Sequence, residues 1–191
     1  MTQLSFFTLI LLPAAKNVAL HQPHFFIIME TERTALIHKK VIAMFEPIGI
    51  VRSSVTDKID HDWGVVISQI VIDEPFADGL QGLEDFSHII VVYHLNQAKF
   101  LREKHLVRHP QGRGDLPCVG IFSQRAKDRP NPIGITAAKL LSVHENIVEV
   151  QGLDAIDGTP VLDIKPYFPQ YDLKNDARVP DWVNVLMKDY F

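Results

Sequence analysis

Two short segments hold most of the residues in this chain that can do chemistry. The first reads Ile121-Phe122-Ser123-Gln124-Arg125-Ala126-Lys127-Asp128-Arg129-Pro130-Asn131-Pro132-Ile133-Gly134. Arg125 and Arg129 bring guanidinium groups, which pair with carboxylate or phosphate or stack on a base. Two prolines flanking Asn131 fix the backbone, and Gly134 permits a conformation other residues resist, so the run predicts a rigid loop after a strand. A stiff loop presenting such groups is what a preorganised site needs; a rigid turn with surface arginines is the plainer alternative. The second segment reads Gly152-Leu153-Asp154-Ala155-Ile156-Asp157-Gly158-Thr159-Pro160-Val161-Leu162-Asp163-Ile164-Lys165-Pro166-Tyr167. Asp157-Gly158 marks a turn, and Asp154, Asp157, Asp163 and Lys165 crowd around it. Carboxylates accept hydrogen bonds from a ribose or an amine, and Tyr167 offers a stacking face. A hairpin with a salt-bridged strand explains the same residues without a site.

Other chemistries lack their residues. No G-x-G-x-x-G follows a strand and no G-x-x-x-x-G-K-[ST] occurs, so neither usual phosphate cradle is present. There is no G-x-S-x-G nucleophile elbow. His105 and His109 are four apart and could chelate a metal on a helix, but no carboxylate partner is evident beside them, and no metal site is expected. Cys118 is the single cysteine, which leaves no intrachain disulfide and no C-x-x-C zinc spacing and fits a reducing, cytosolic setting.

Charge is distributed unevenly. Residues 99–129 contain eight basic side chains (Lys99, Arg102, Lys104, Arg108, Arg113, Arg125, Lys127, Arg129) and three acidic ones (Glu103, Asp115, Asp128), a net of +5 in a chain whose total is −4. The rest therefore carries −9. A basic segment on an acidic body can guide a polyanion to one face while the protein stays soluble, although a solvated loop has the same composition. At 191 residues with 47% apolar and 22% charged residues, the chain can bury one real core, which excludes disordered and collagen-like classes.

The elements that must position these segments read as strands. Val- and Ile-rich runs predict strands over 48–51, 65–72, 89–95, 119–122, 137–143, 147–150 and 161–164, with Glu145-Asn146 as a hairpin turn. Strands broken by Pro- and Gly-bearing turns, without regular alternation with helices, predict a mainly β fold: a single small antiparallel barrel, closed or nearly so. A short helix or turn is expected over 78–86. A C-terminal helix is expected in 176–191, capped by Asp181 and packing Trp182, Val185, Leu186 and Tyr190 on the barrel as one stripe. The barrel domain is expected over 44–175. Residues 1–43 read as an appendage: the apolar run 4–12 lacks a preceding Lys or Arg and is too short to span a bilayer, so neither a secretion signal nor a membrane span is favoured.

Together these segments resemble the TsaA-like family, also called TrmO or YaeB, whose members include S-adenosylmethionine-dependent tRNA methyltransferases. The matching pieces are Glu46-Pro47-Ile48-Gly49-Ile50-Val51-Arg52-Ser53, Gly82-Leu83-Glu84-Asp85-Phe86-Ser87-His88, the F-x-x-R and R-P-N-P-I-G motifs from Phe122 to Gly134, and D-G-T-P-V-L-D-I-K-P-Y from Asp157 to Tyr167. They span 45 to about 170. The resemblance implies a small β-barrel methyltransferase, distinct from the Rossmann class and working as a cytoplasmic homodimer. It also implies methyl transfer to N6 of threonylcarbamoyladenosine next to the tRNA anticodon. S-adenosylmethionine contacts are then expected at Asn96, Gln97, Arg125, Arg129, Asn131, Ile135, Asp157, Gly158, Thr159 and Pro160. Many relatives carry His-Gln where this chain has Asn96-Gln97, and longer members have a Pro-Arg-Gln segment where this chain reads Asp60-His61-Asp62-Trp63, which marks a shorter subtype.

Under that reading the protein aligns N6, methyl and sulfur in line, and a carboxylate takes the proton from a poorly nucleophilic, acylated N6. Asp157 and Asp154 are the candidates. Lys99, Arg102, Lys104, Arg108 and Arg113 are expected to hold anticodon stem-loop phosphates, with Lys165 and Tyr167 as further substrate contacts. Two alternatives stand beside it: a noncatalytic module binding S-adenosylmethionine or a nucleotide, and a methyltransferase for another RNA or a small molecule.

Overall fold

A computed structural model of the protein describes residues 45–191. The expected appendage at 1–43, its apolar runs and the domain start at 44 lie outside the described residues. The architecture is a closed barrel of six antiparallel strands, β1 (Gly49–Ser53), β2 (Ile67–Ile72), β3 (His88–His94), β6 (Ile133–His144), β7 (Ile147–Gln151) and β8 (Pro160–Pro166). Around the barrel they run β1-β2-β7-β6-β3-β8, and a separate ribbon pairs β4 (Val107–Arg108) with β5 (Val119–Gly120). Closure pairs every strand on both sides and leaves no exposed edge.

Alternation puts one face of each strand inside. In β3, Ile89, Val91 and Tyr93 point inward and are buried; in β7, Val148 and Val150 do the same. Val51, Ile70 and Val161 complete the centre of the same core. Most expected strands are found within a residue or two, and Glu145, at φ 54°, makes the β6–β7 hairpin turn.

Local differences have physical causes. The strand expected over 119–122 stops at Gly120, because Ile121–Ser123 turns into a 3-10 helix that buries Ile121. β6 begins at Ile133 rather than 137, so Ile133-Gly134-Ile135 is strand and not turn: each of the three pairs across to β3. The stretch expected at 78–86 is two 3-10 helices, Glu74–Leu80 and Leu83–Asp85. The C-terminal helix covers Asp181–Met187, with Pro180 at its N-cap and no side-chain cap bond, so Asp181 starts the helix and does not cap it. Val185 on the expected stripe is exposed, while Trp182, Leu186 and Tyr190 are half-buried. Among the described residues no helix is long and apolar enough to cross a membrane.

Candidate functional site

Strand registers bring most of the singled-out residues to one end of the barrel. His94 pairs with Ile133, Tyr93 with Val161, Ser53 with Ser68, and Ile67 with Gln151. The end of β3, the start of β6, the end of β7 and the start of β8 therefore meet there, together with the loop leaving β1. Residues 95–132, which contain the whole basic segment, form one excursion between β3 and β6 from that same end. β8 enters with a register shift against β3 between Val92 and Tyr93, a bulge of the kind that re-aims side chains next to sites.

Asp154 is the polar centre of this end. Its Oδ1 accepts the Tyr93 hydroxyl at 2.7 Å and the Thr136 hydroxyl, and its Oδ2 accepts the Tyr190 hydroxyl at 3.0 Å. Tyr93 is only 2% exposed, and its pKa is raised above the ordinary tyrosine range, first by burial and then by the Asp154 charge. Tyr190 is raised for the same two reasons in the same order, with Asp60 adding and Arg125 opposing. Both phenols therefore stay protonated and donate.

Gly134 makes this arrangement possible. It pairs directly with Tyr93 across β3 and β6, and the ring lies over it so closely that a Cβ there would overlap Cε2, Cζ and Cδ2. The residue is needed for space; Gly134 is not among the glycines at positive φ, so the backbone freedom expected from sequence is not its reason.

Asp157 is held differently. Its Oδ1 accepts the Ser53 backbone N–H at 3.1 Å, while Oδ2 has only Arg52 Nη1 at 3.9 Å. The Asp157 and Gly158 N–H groups donate to Val55 and Val51 carbonyls at 2.8 and 2.9 Å, with Gly158 at φ 77°, so the turn is docked on β1. Thr159 is buried and Pro160 opens β8. Asn96 and Gln97 follow β3 and are exposed, and Lys58 from the β1–β2 loop donates to the Gln97 carbonyl at 3.4 Å. Arg125 is exposed and donates to the Ile135 carbonyl; the Ile135 side chain is half exposed. Arg129 turns back to the Gln124 carbonyl at 3.3 Å, bracing its own loop, and Asn131 is exposed beside it.

The expected substrate residues divide. Lys99, Arg102 and Lys104 are exposed and form no ion pair among the described residues; Arg102 and Lys104 lie on α1 (Arg102–His105). Arg108 instead faces Asp128 at 3.9 Å, with both side chains largely buried, and Arg113 binds Asp115 at 2.6 Å. These two arginines tie the excursion together rather than presenting free charge.

Lys165 and Tyr167 are separated from the rest. They lie where β8 leaves the barrel, opposite Ile90 and His88, about 17 Å along the strand from Pro160. Lys165 is paired with Asp163 at 2.6 Å, the salt-bridged strand that the sequence left as the alternative. A shallow depression of about 310 Å³ near Leu80 and Val143 is also away from the gathered residues and lined by Asp78, Glu84 and Glu145.

His105 Nδ1 accepts the Leu101 N–H and His109 Nδ1 meets the Leu116 carbonyl, so each imidazole is used locally. Among the described residues no group of three or more metal-ligating side chains occurs. Sequence reasoning missed Tyr93, Thr136 and Tyr190. The available signal was slight: Tyr93 is the one hydroxyl in an apolar run, and Thr136 the one hydroxyl on the inward face of early β6.

Comparisons with known proteins show the family. An S-adenosyl-L-methionine-binding protein of Archaeoglobus fulgidus is 38% identical over 139 residues, covering 71% of this chain and 96% of that protein. The tRNA (adenine(37)-N6)-methyltransferase of Escherichia coli is 36% identical over 144 residues, 70% of this chain and 61% of that enzyme. The crystal structure of TrmO from Pseudomonas aeruginosa superposes with a TM-score of 0.59 at 30% identity, over 72% of this chain and 62% of that one. The chain thus spans somewhat under two thirds of these two longer relatives. Residues 63–173, more than half of the sequence, match the tRNA-methyltransferase O N-terminal domain, and the chain belongs to that family.

Proposed function

We propose that this chain is an S-adenosylmethionine-dependent tRNA methyltransferase that adds one methyl group to N6 of threonylcarbamoyladenosine beside the anticodon. The supporting observation is the gathering of Asn96, Gln97, Arg125, Ile135 and the Asp157-Gly158-Thr159-Pro160 turn at one barrel end. The chemistry of these groups fits the cofactor. Arg125 has free donors for a carboxylate, Ile135 offers apolar surface, and the two amides can read a base edge. Bound there, S-adenosylmethionine supplies a methyl group already activated by its sulfonium.

The protein's share is alignment and proton handling. Of the two carboxylates, Asp154 has both oxygens occupied by hydroxyl donors, and it acts as a brace. Asp157 keeps Oδ2 available and takes the proton released from N6. Lys99, Arg102 and Lys104, on the excursion from the same end, hold anticodon stem-loop phosphates while the unpaired base enters. The protein works as a cytoplasmic homodimer: outward-facing Ile133 and Leu141 of β6 give a second copy apolar surface to cover, and exposed, unpaired Cys118 suits a reducing compartment.

A second reading, a noncatalytic S-adenosylmethionine-binding module, is favoured by one observation. The Archaeoglobus relative, matched over nearly its whole length, is named for binding alone. The test incubates the full chain with S-adenosylmethionine and tRNA bearing threonylcarbamoyladenosine and reads nucleosides by mass spectrometry. A gain of one methyl on that nucleoside supports the enzyme. Cofactor binding without any gain supports the module or another acceptor.

A further inference from the structure

The segment after the C-terminal helix is joined to the site end by more than packing. The Asp62 and Trp63 N–H groups donate to the Asp189 and Tyr190 carbonyls, each at 2.9 Å. Phe191 covers Gly64, where a Cβ would lie 2.7 Å from the Phe191 carbonyl carbon, and Gln151 Nε2 donates to the Gly64 carbonyl at 2.9 Å. These contacts already dock the segment without the Tyr190 hydroxyl. That hydroxyl makes a separate bond, 3.0 Å long, to Asp154 Oδ2, 36 residues away in sequence. On the other side of the same carboxylate stand Tyr93 and Thr136. Thr136 follows Ile135, whose carbonyl receives Arg125.

We propose that Tyr190 is a positioning residue of the cofactor-binding end: acting through Asp154, it fixes Tyr93 and Thr136 and so holds the β6 backbone that anchors Arg125. The inference rests on the functional reading above and extends it to a residue outside the family motifs. Tyr190 also lies within the field of Arg125, whose charge opposes the rise in its pKa. The hydroxyl is thus a link between the C-terminal segment and the guanidinium that meets the cofactor. The link is polar and specific, since a bare phenyl ring would give the same packing.

Tyr190→Phe isolates the hydroxyl, keeping the ring, the two backbone bonds and the Phe191 contact. S-adenosylmethionine affinity by calorimetry should weaken about five- to tenfold, the loss expected of one hydrogen bond to a carboxylate partly absorbed by relaxation. Turnover at saturating cofactor should stay within about twofold, since binding is perturbed and chemistry is not. In an Asp154→Asn background the same substitution should add almost nothing, because both changes break one link. Wild-type affinity in Tyr190→Phe, additive losses in the double variant, or a fall in turnover with affinity intact would each overturn the role. If the unaltered protein binds no S-adenosylmethionine, the functional reading and this role fall together; if it binds and Tyr190→Phe binds equally, this role alone falls.

Discussion

Replacing Gly134 by alanine puts one carbon where Tyr93 already stands. The overlapped atoms are Cε2, Cζ and Cδ2 of the ring, not the end of a flexible side chain, and the ring is buried with its hydroxyl bonded to Asp154. Either β3 and β6 move apart or the ring swings and the hydroxyl leaves the carboxylate. Overpacking of this kind costs about 1–3 kcal/mol, and a lost hydrogen bond to a charged group brings the same order of cost. A total near 3 kcal/mol is therefore expected, which lowers Tm by roughly 6–12 °C for a domain of this size. Circular dichroism melts check the stability, and calorimetry with S-adenosylmethionine checks the site, where affinity should fall with the displaced β6 backbone. The decisive control is Tyr93→Leu, which removes the overlapping ring. In that background Gly134→Ala should cost less than about 1 kcal/mol, because neighbouring changes that relieve one clash are not additive. A full penalty there would show that Gly134 serves backbone conformation and would refute the steric reasoning.

Three further outcomes follow from the same geometry. Tyr93 and Tyr190 keep their protons in the folded protein beyond the pH, about 10, at which an unfolded tyrosine loses its own. Stability from them is whole below that pH and declines above it, by about 1.4 kcal/mol per pH unit for Tyr93 and less for the more exposed Tyr190; urea titrations between about pH 8 and 11 should show the fall and Tyr93→Phe should flatten it, whereas constant stability over that range contradicts the assignment. Arg102→Gln with Lys104→Gln should reduce the slope of log tRNA affinity against log salt by about 1.5, while Arg113→Gln, already paired with Asp115, should leave it unchanged; a slope unaffected by the double change removes α1 from the RNA surface. Asp157→Asn should cut turnover by about a hundredfold with cofactor affinity nearly preserved, and equal losses in both would make Asp157 a binding residue.

The barrel was legible because its strands are local statements: runs of Val and Ile with turn residues between them, as in β2, β3 and β7. The Asp157-Gly158 turn was legible for the same reason, since Gly158 takes the positive φ that its type permits. What escaped is non-local. The role of Gly134 depends on a ring 41 positions away in sequence, so Pro132 and Gly134 read as a turn although they lead into a strand. Asp154 looked like a free carboxylate because its three donors come from β3, β6 and the C-terminal segment. Arg108 looked like a phosphate ligand because Asp128, which it faces, lies 20 residues on. Lys165 and Tyr167 shared a motif with Asp157, yet a strand carries its two ends to opposite ends of a barrel.

Cofactor binding at the barrel end formed by the end of β3 and the starts of β6 and β8 underlies every role assigned above. Calorimetric titration of S-adenosylmethionine into Arg125→Ala and Lys165→Ala variants tests it most directly. Affinity should fall at least about tenfold in Arg125→Ala, the scale of one charged contact, and stay unchanged in Lys165→Ala. Intact binding in Arg125→Ala with loss in Lys165→Ala would place the cofactor at the opposite end and contradict it.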